Sequence, residues 1–121
     1  MIRMHDLPDD AARAAIREGD FPSTITSQPH VAVLMTQHWC PDWLMMRSWL
    51  NRMAKKGEPA SRDIEVYLLV YNKVDYFTEF MTYKENSFGN RLVPYVRYYA
   101  DGVYLGDSNQ LSPDRFLARF D

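Results

Sequence analysis

Short apolar runs alternate along the chain with stretches that have helical spacing. The runs at residues 31–36 (VAVLMT), 64–71 (IEVYLLVY) and 93–100 (VPYVRYYA) have the length and the β-branched or aromatic content of strands. Residues 7–20 (LPDDAARAAIREGD) predict a first helix, with acidic residues in its first turn and a glycine at its end. The polar stretch 21–30 carries two prolines and is predicted to be mostly loop.

Three further stretches predict helices. The helix over residues 41–56 begins with Pro41, which the first turn tolerates, and Gly57 suits its C-terminal end. Residues 74–86 (VDYFTEFMTYKEN) predict a third helix, and residues 112–120 (SPDRFLARF) predict a last one with a serine N-cap. In the 41–56 helix, one buried stripe follows the i, i+3, i+4, i+7 spacing: Met46, Trp49, Leu50 and Met53.

The order of these elements predicts an α/β fold. Asp101 and Gly102 are a strong hairpin signal, so residues 103–106 (VYLG) should return as a short strand. Strands that alternate with helices indicate parallel pairs, and the final hairpin adds an antiparallel edge. We therefore expect a four-stranded mixed sheet with helices on both faces.

Composition narrows the class of protein. A chain of 121 residues has the length of one domain. Its 14 basic and 16 acidic residues give a net charge of −2, so neither nucleic acid nor an anionic membrane is expected as a partner. A single cysteine excludes an internal disulfide, and no run approaches the roughly 20 apolar residues of a membrane span. With no signal-peptide pattern either, a cytoplasmic location is expected.

The stretch 38–49 (HWCPDWLMMRSW) carries the candidate chemistry. Cys40 stands at a predicted helix start, where unpaired backbone N–H groups and the helix dipole favour the thiolate, the reactive form. A protonated His38 would favour the thiolate further, whereas Asp42 competes for the same positive field. The alternative is a buried, inert cysteine, which is the common fate of a lone cysteine.

The junction HWCPDW after a strand, followed late in the chain by VPYVRYYADGVYLG, resembles the thioredoxin family over roughly residues 28–121. The family's active site has the pattern Trp-Cys-X-X-Cys, and Trp39 and Cys40 match its first two positions. Pro41 and Asp42 occupy the intervening positions, and Trp43 replaces the second cysteine. The resemblance implies a single thioredoxin-like domain over residues 1–121.

The resemblance extends beyond this junction, with two departures. Pro94 resembles the family's cis-proline, which packs beside the active cysteine, and the backbone of Val93 would then pair with a substrate. Residues 72–75 (NKVD) resemble the segment after the family's central strand. Leu34 stands where members usually carry a buried aspartate, and the family's first strand is not identified in this sequence.

Trp43 restricts the mechanism that the resemblance implies. A second cysteine normally releases a mixed disulfide by attacking the first sulfur, and tryptophan cannot do so. A mixed disulfide on Cys40 must then be resolved by an outside thiol, such as glutathione, or by the substrate's own second cysteine. Trp43 itself either covers a ligand or packs over the helix start. The expected substrate-binding set is Trp39, Pro41, Trp43, Val93 and Pro94, with His38 and Asp42 tuning Cys40.

Two functions stay open from the sequence. The first is a monothiol thiol–disulfide exchange protein of cell redox homeostasis, with protein or small-molecule thiols and disulfides as partners. The second is a redox-inactive thioredoxin-like binding module. No cofactor is expected beyond glutathione as a co-substrate. No metal is expected either. His38, Cys40, Met45 and Met46 offer soft ligands for copper(I), but no second Cys/His cluster completes a site.

Overall fold

A five-stranded mixed sheet organises the chain in the computed structural model, which describes residues 1–56 and 63–121. The order across the sheet is β1-β3-β2-β4-β5; β1, β3 and β2 are parallel, and β4 is antiparallel to β2 and β5. The strands are β1 (Ile2–Asp6), β2 (Val31–Thr36), β3 (Ile64–Val70), β4 (Tyr95–Ala100) and β5 (Val103–Ser108). The helices are α1 (Asp9–Glu18), α2 (Ser23–Thr26), α3 (Pro41–Lys56), α4 (Phe77–Ser87) and α5 (Pro113–Ala118), and a 3-10 turn spans Tyr71–Lys73.

Strand β1 corrects the prediction of four strands. Ile2 and Met4 alternate with Arg3 and His5, so the strand has one apolar and one polar side. It forms an edge of the sheet, where Arg3 and His5 both pair with Glu65 of β3 at 3.2 and 2.8 Å. The sequence-based prediction missed β1 because these charged partners lie far along the chain. The stretch 21–30 is likewise not all loop, since it contains α2.

The central strand β2, which the sequence predicted over residues 31–36, is buried on both faces. All six of its residues are buried. Val33 and Met35 face one core, which α1 and α4 cover, while Ala32 and Leu34 face a second core beneath α3 and α5. The α3 side is the one that matters for the candidate site, because Cys40 and Trp43 belong to that core.

The C-terminal part of the fold also follows the sequence-based expectation. Asp101 and Gly102 have φ of 52° and 84°, the left-handed pair that a tight two-residue hairpin turn needs. The Ser112 side chain accepts a hydrogen bond from the Arg115 backbone N–H and caps α5. Helix α3 extends to Lys56 as predicted, while its expected terminal residue, Gly57, lies outside the described residues.

Candidate functional site

Cys40 lies between β2 and α3, at the end of the sheet where the parallel strands finish. Its carbonyl accepts the first hydrogen bond of α3, from the Leu44 N–H at 3.0 Å, and Pro41 is the first helical residue. Cys40 is therefore the N-cap of α3, next to backbone N–H groups that have no partner within the helix. Its side chain is 4% exposed and joins the core beneath α3 and α5.

A backbone carbonyl from the loop before β4 meets this sulfur. Cys40 Sγ donates a hydrogen bond to the Val93 carbonyl at 3.5 Å. The peptide bond between Val93 and Pro94 is cis, and the Pro94 carbonyl accepts from the Asn109 side-chain amide at 3.1 Å. The structure thus brings together Cys40, Val93 and Pro94, which the sequence placed in one site.

Trp43 belongs to the core and not to the exposed rim of the site. Its side chain is 2% exposed and shares the α3-side core with Leu34, which is fully buried. Trp43 and Leu34, which the resemblance assigns to the positions of a second cysteine and a buried aspartate, thus both contribute apolar groups to one core. Only an edge of Trp43 reaches the surface, at a cavity of about 260 Å³. That cavity is lined by Met4, His5, Asp6, Trp43, Arg47, Asn51 and Leu68.

The loop that precedes Cys40 is held by side chains from the turn after β3. The His38 backbone N–H donates to Asn72 Oδ1 at 3.0 Å, and the His38 ring contacts the same Asn72 side chain. The Trp39 indole N–H donates to Gln37, whose amide donates to the Tyr71 hydroxyl at 3.2 Å. The ring of His38, expected to tune the thiol, is therefore engaged by Asn72. The Asp42 side chain is exposed in the first turn of α3.

Tyr71 is a buried titratable group that the sequence analysis missed. Burial raises the pKa of Tyr71 above its ordinary value, the hydrogen bond from Gln37 opposes this, and the charges of Glu85 and Cys40 raise it further. Its ring also packs against Phe80 of α4. Tyr71 was missed because it was expected to end strand β3, whereas it begins the 3-10 turn.

A buried lysine holds the loop before Pro94. Lys84 of α4 is 0% exposed, and its Nζ donates to the carbonyls of Asn90 and Leu92, both at 2.9 Å. The ring centroids of Tyr71 and Tyr95 lie 5.9 and 5.4 Å from the same nitrogen. Burial lowers the pKa of Lys84 to about 8, while Glu85 opposes the shift. No local sequence pattern signals this role, because a lysine in a helical stretch is typical of the surface.

Large apolar side chains are exposed on both sides of the Cys40 junction. Trp39 precedes Cys40, Met45 follows it on α3, and Leu92 precedes the Val93 that contacts its sulfur; they are 57%, 62% and 64% exposed. We call these three residues the apolar rim. Exposed apolar groups that cluster at one place are typical of interaction sites.

Neither a membrane span nor a metal cluster occurs in the part of the chain that the structure describes. Across residues 1–56 and 63–121, no helix is long and apolar enough to cross a membrane. In those same ranges, no group of three or more His, Cys, Asp or Glu side chains is arranged to hold a metal ion.

The comparisons with known proteins identify the fold. No protein-family model and no curated protein matches the chain. Among solved structures, it resembles Trxlp from Edwardsiella tarda EIB202, with a TM-score of 0.58, 19% identity and 96% of each chain covered. It also resembles a mutant thioredoxin from Halobacterium salinarum NRC-1, with a TM-score of 0.56 and 12% identity over 97% of this chain and 85% of that one.

A third solved structure, oxidised thioredoxin O2 from Arabidopsis thaliana, matches with a TM-score of 0.54 and 14% identity over 95% of this chain and 89% of that one. These likenesses cover nearly the whole chain at low identity, so they establish architecture alone. The chain has a thioredoxin-like α/β fold.

Proposed function

We propose that this protein performs thiol–disulfide exchange with a single sulfur, that of Cys40. The observation that carries the proposal is the position of Cys40 as the N-cap of α3, with its sulfur beside the Val93 backbone. A helix N-terminus favours the thiolate, and the backbone beside the sulfur offers main-chain groups to an extended substrate. The thioredoxin-like fold supports a redox role in general.

The first step transfers the R–S group of a disulfide substrate to Cys40 as a mixed disulfide. The Cys40 thiolate attacks one sulfur of a disulfide R–S–S–R′, a bond forms between Cys40 and that sulfur, and R′ leaves as a thiolate. One disulfide is consumed and one is formed, so no external oxidant or reductant enters this step.

The second step needs a thiol from outside the chain. Trp43 fills the position of a resolving cysteine, and Cys40 is the only cysteine present. An outside thiolate, such as that of glutathione, attacks the substrate sulfur held by Cys40. The Cys40–S bond breaks, Cys40 leaves as a thiolate, and the substrate departs as a mixed disulfide with the outside thiol.

Access to the sulfur favours a polypeptide substrate. Because Cys40 is 4% exposed, a disulfide reaches Sγ only through the small opening beside the Val93 backbone. The apolar rim of Trp39, Met45 and Leu92 gives a bound polypeptide apolar surface to cover beside this opening. We therefore expect protein disulfides with apolar neighbours to react faster than small polar disulfides.

A peptide carrying a glutathione mixed disulfide tests the proposal. With wild-type protein, release of the peptide thiol should be faster than the uncatalysed reaction and should increase with glutathione concentration. Cys40→Ser should react at the uncatalysed rate, because the hydroxyl is not a nucleophile for sulfur. A Cys40→Ser protein as active as the wild type would contradict the proposal. Peptide binding without exchange, equal in both proteins, would identify a binding module instead.

A further inference from the structure

The loop of residues 90–94 is held by side chains on both sides of Val93. Lys84 Nζ donates to the carbonyls of Asn90 and Leu92, both at 2.9 Å. On the other side, the Asn109 amide donates to the Pro94 carbonyl at 3.1 Å. With its two neighbouring carbonyls held in this way, the Val93 carbonyl is the one that meets Cys40 Sγ.

A buried lysine is an unusual hydrogen-bond donor to the carbonyls of a loop. Lys84 is fully buried, and burial of an ammonium costs free energy unless the charge is compensated. The titratable groups that face it are Tyr71 from the 3-10 turn, Tyr95 from β4 and Glu85 from its own helix. Glu85 forms an ion pair with Arg91 at 3.8 Å, whereas Lys84 Nζ contacts carbonyls and aromatic rings.

An apolar side chain of similar length would avoid the cost of burying the charge. It would also remove the donor that Lys84 supplies to the carbonyls of Asn90 and Leu92, and losing these hydrogen bonds is itself costly. The retained ammonium is therefore best explained by the loop that it holds. A neutral amine keeps N–H donors but loses the charge, and hydrogen bonds from a charged donor are about twice as strong as neutral ones.

We propose that Lys84 is a positioning residue of the Cys40 site. Its ammonium holds the Asn90 and Leu92 carbonyls so that the Val93 carbonyl meets the sulfur, and loss of that charge loosens the 90–94 loop. The consequence for exchange rests on the proposed function, whereas the order of the loop does not. Since the pKa of Lys84 is about 8, the loop should loosen as the pH rises through that value. The sequence alone gives no sign of this dependence.

Nuclear magnetic resonance of Cys40→Ser protein tests the loop without any thiol titration. The backbone amide shifts of Leu92 and Val93 should follow pH with an inflection near 8, and their hydrogen exchange, corrected for the intrinsic rate, should accelerate about tenfold above it. Adding Lys84→Met should remove the inflection and leave exchange fast at every pH. Lys73→Met, which removes an exposed lysine from the nearby 3-10 turn, should keep the inflection.

Shifts that stay flat across a range of about 1.5 pH units on either side of the lysine pKa would overturn the proposal, and this titration needs no Lys84 variant to fold. For the catalytic consequence, Lys84→Met in the background that retains Cys40 should slow peptide exchange at neutral pH about tenfold, whereas Lys73→Met should not. Equal rates in the two variants would also contradict a positioning role. A clear inflection together with no exchange by wild-type protein would leave Lys84 holding the loop and would refute the proposed function alone.

Discussion

Replacing Trp43 by cysteine tests whether position 43 is where a resolving thiol would stand. Residues three apart at a helix start have Cβ atoms about 5–6 Å apart, close enough for a disulfide after a small adjustment. Cys40 is the N-cap of α3 and Trp43 lies in its first turn, on the same side of the helix, because both belong to one core. Trp43→Cys should therefore form an internal disulfide with Cys40 and gain dithiol reductase activity.

The substitution also has a cost that the burial of Trp43 predicts. A tryptophan buries up to about 250 Å², and at about 25 cal/mol per Å² its removal forfeits up to roughly 6 kcal/mol. Trp43 is 2% exposed, so nearly all of this burial free energy applies to it. The cavity of about 260 Å³ at its edge lets water enter the space, which reduces the penalty of an empty core. We expect a loss of about 3–5 kcal/mol in the free energy of unfolding, within the range for large-to-small core changes.

Trp43→Ala is the matched control, because it leaves the same space without a thiol. Urea unfolding of reduced protein should give similar losses for both variants, and with dithiothreitol as the electron source Trp43→Cys should reduce insulin disulfides faster than Trp43→Ala does. Two results would contradict this prediction. A Trp43→Ala protein within about 1 kcal/mol of the wild type would place the ring outside the core. A folded Trp43→Cys protein that never forms the internal disulfide would contradict the site geometry.

Three further predictions concern the buried lysine, the apolar rim and the last helix. The pKa of lysine is about 10.5 in the unfolded chain and about 8 for buried Lys84, so the free energy of unfolding should rise with pH between these values. Relative to Lys84→Met, the wild type should gain up to about 3 kcal/mol, measured by urea titration at each pH. A difference that stays constant with pH would contradict the burial of a charge. Leu92→Ser should slow exchange with an apolar peptide disulfide about threefold without slowing exchange with glutathione disulfide, whereas Leu105→Ser on β5, also exposed, should leave both rates unchanged. Ser112→Ala should lower the free energy of unfolding by about 1 kcal/mol through loss of the α5 cap, and an unchanged urea midpoint would argue against that cap.

The features that the sequence predicted well are local ones. The six residues of β2 form a continuous apolar run, the spacing of Met46, Trp49 and Leu50 marks the buried side of α3, and Asp101-Gly102 encodes its own turn. Extending that stripe by three residues towards the N-terminus reaches Trp43, so its burial was available from the same pattern.

The features that it missed depend on partners distant in sequence. Strand β1 is polar on one side. Its Arg3 and His5 are explained by Glu65 of the neighbouring strand, which pairs with both. The sequence similarly places Lys84 on the surface, because its contacts with the 90–94 loop form only in the folded protein. Such side chains meet only through the tertiary fold, which spacing along the chain does not encode. The approach of the Val93 backbone, next to Pro94, to Cys40 was anticipated through the resemblance to the thioredoxin family and not through any local pattern.

The most direct test of single-sulfur exchange is whether Cys40 of the folded protein accepts and releases a disulfide partner. The measurement is the intact mass of folded protein after incubation with glutathione disulfide, followed by reduced glutathione. We expect one glutathionyl group on Cys40, absent from Cys40→Ser, and its complete removal by reduced glutathione. Folded protein that stays unmodified, while the same protein in urea becomes modified, would mean that the buried sulfur does not take part in exchange.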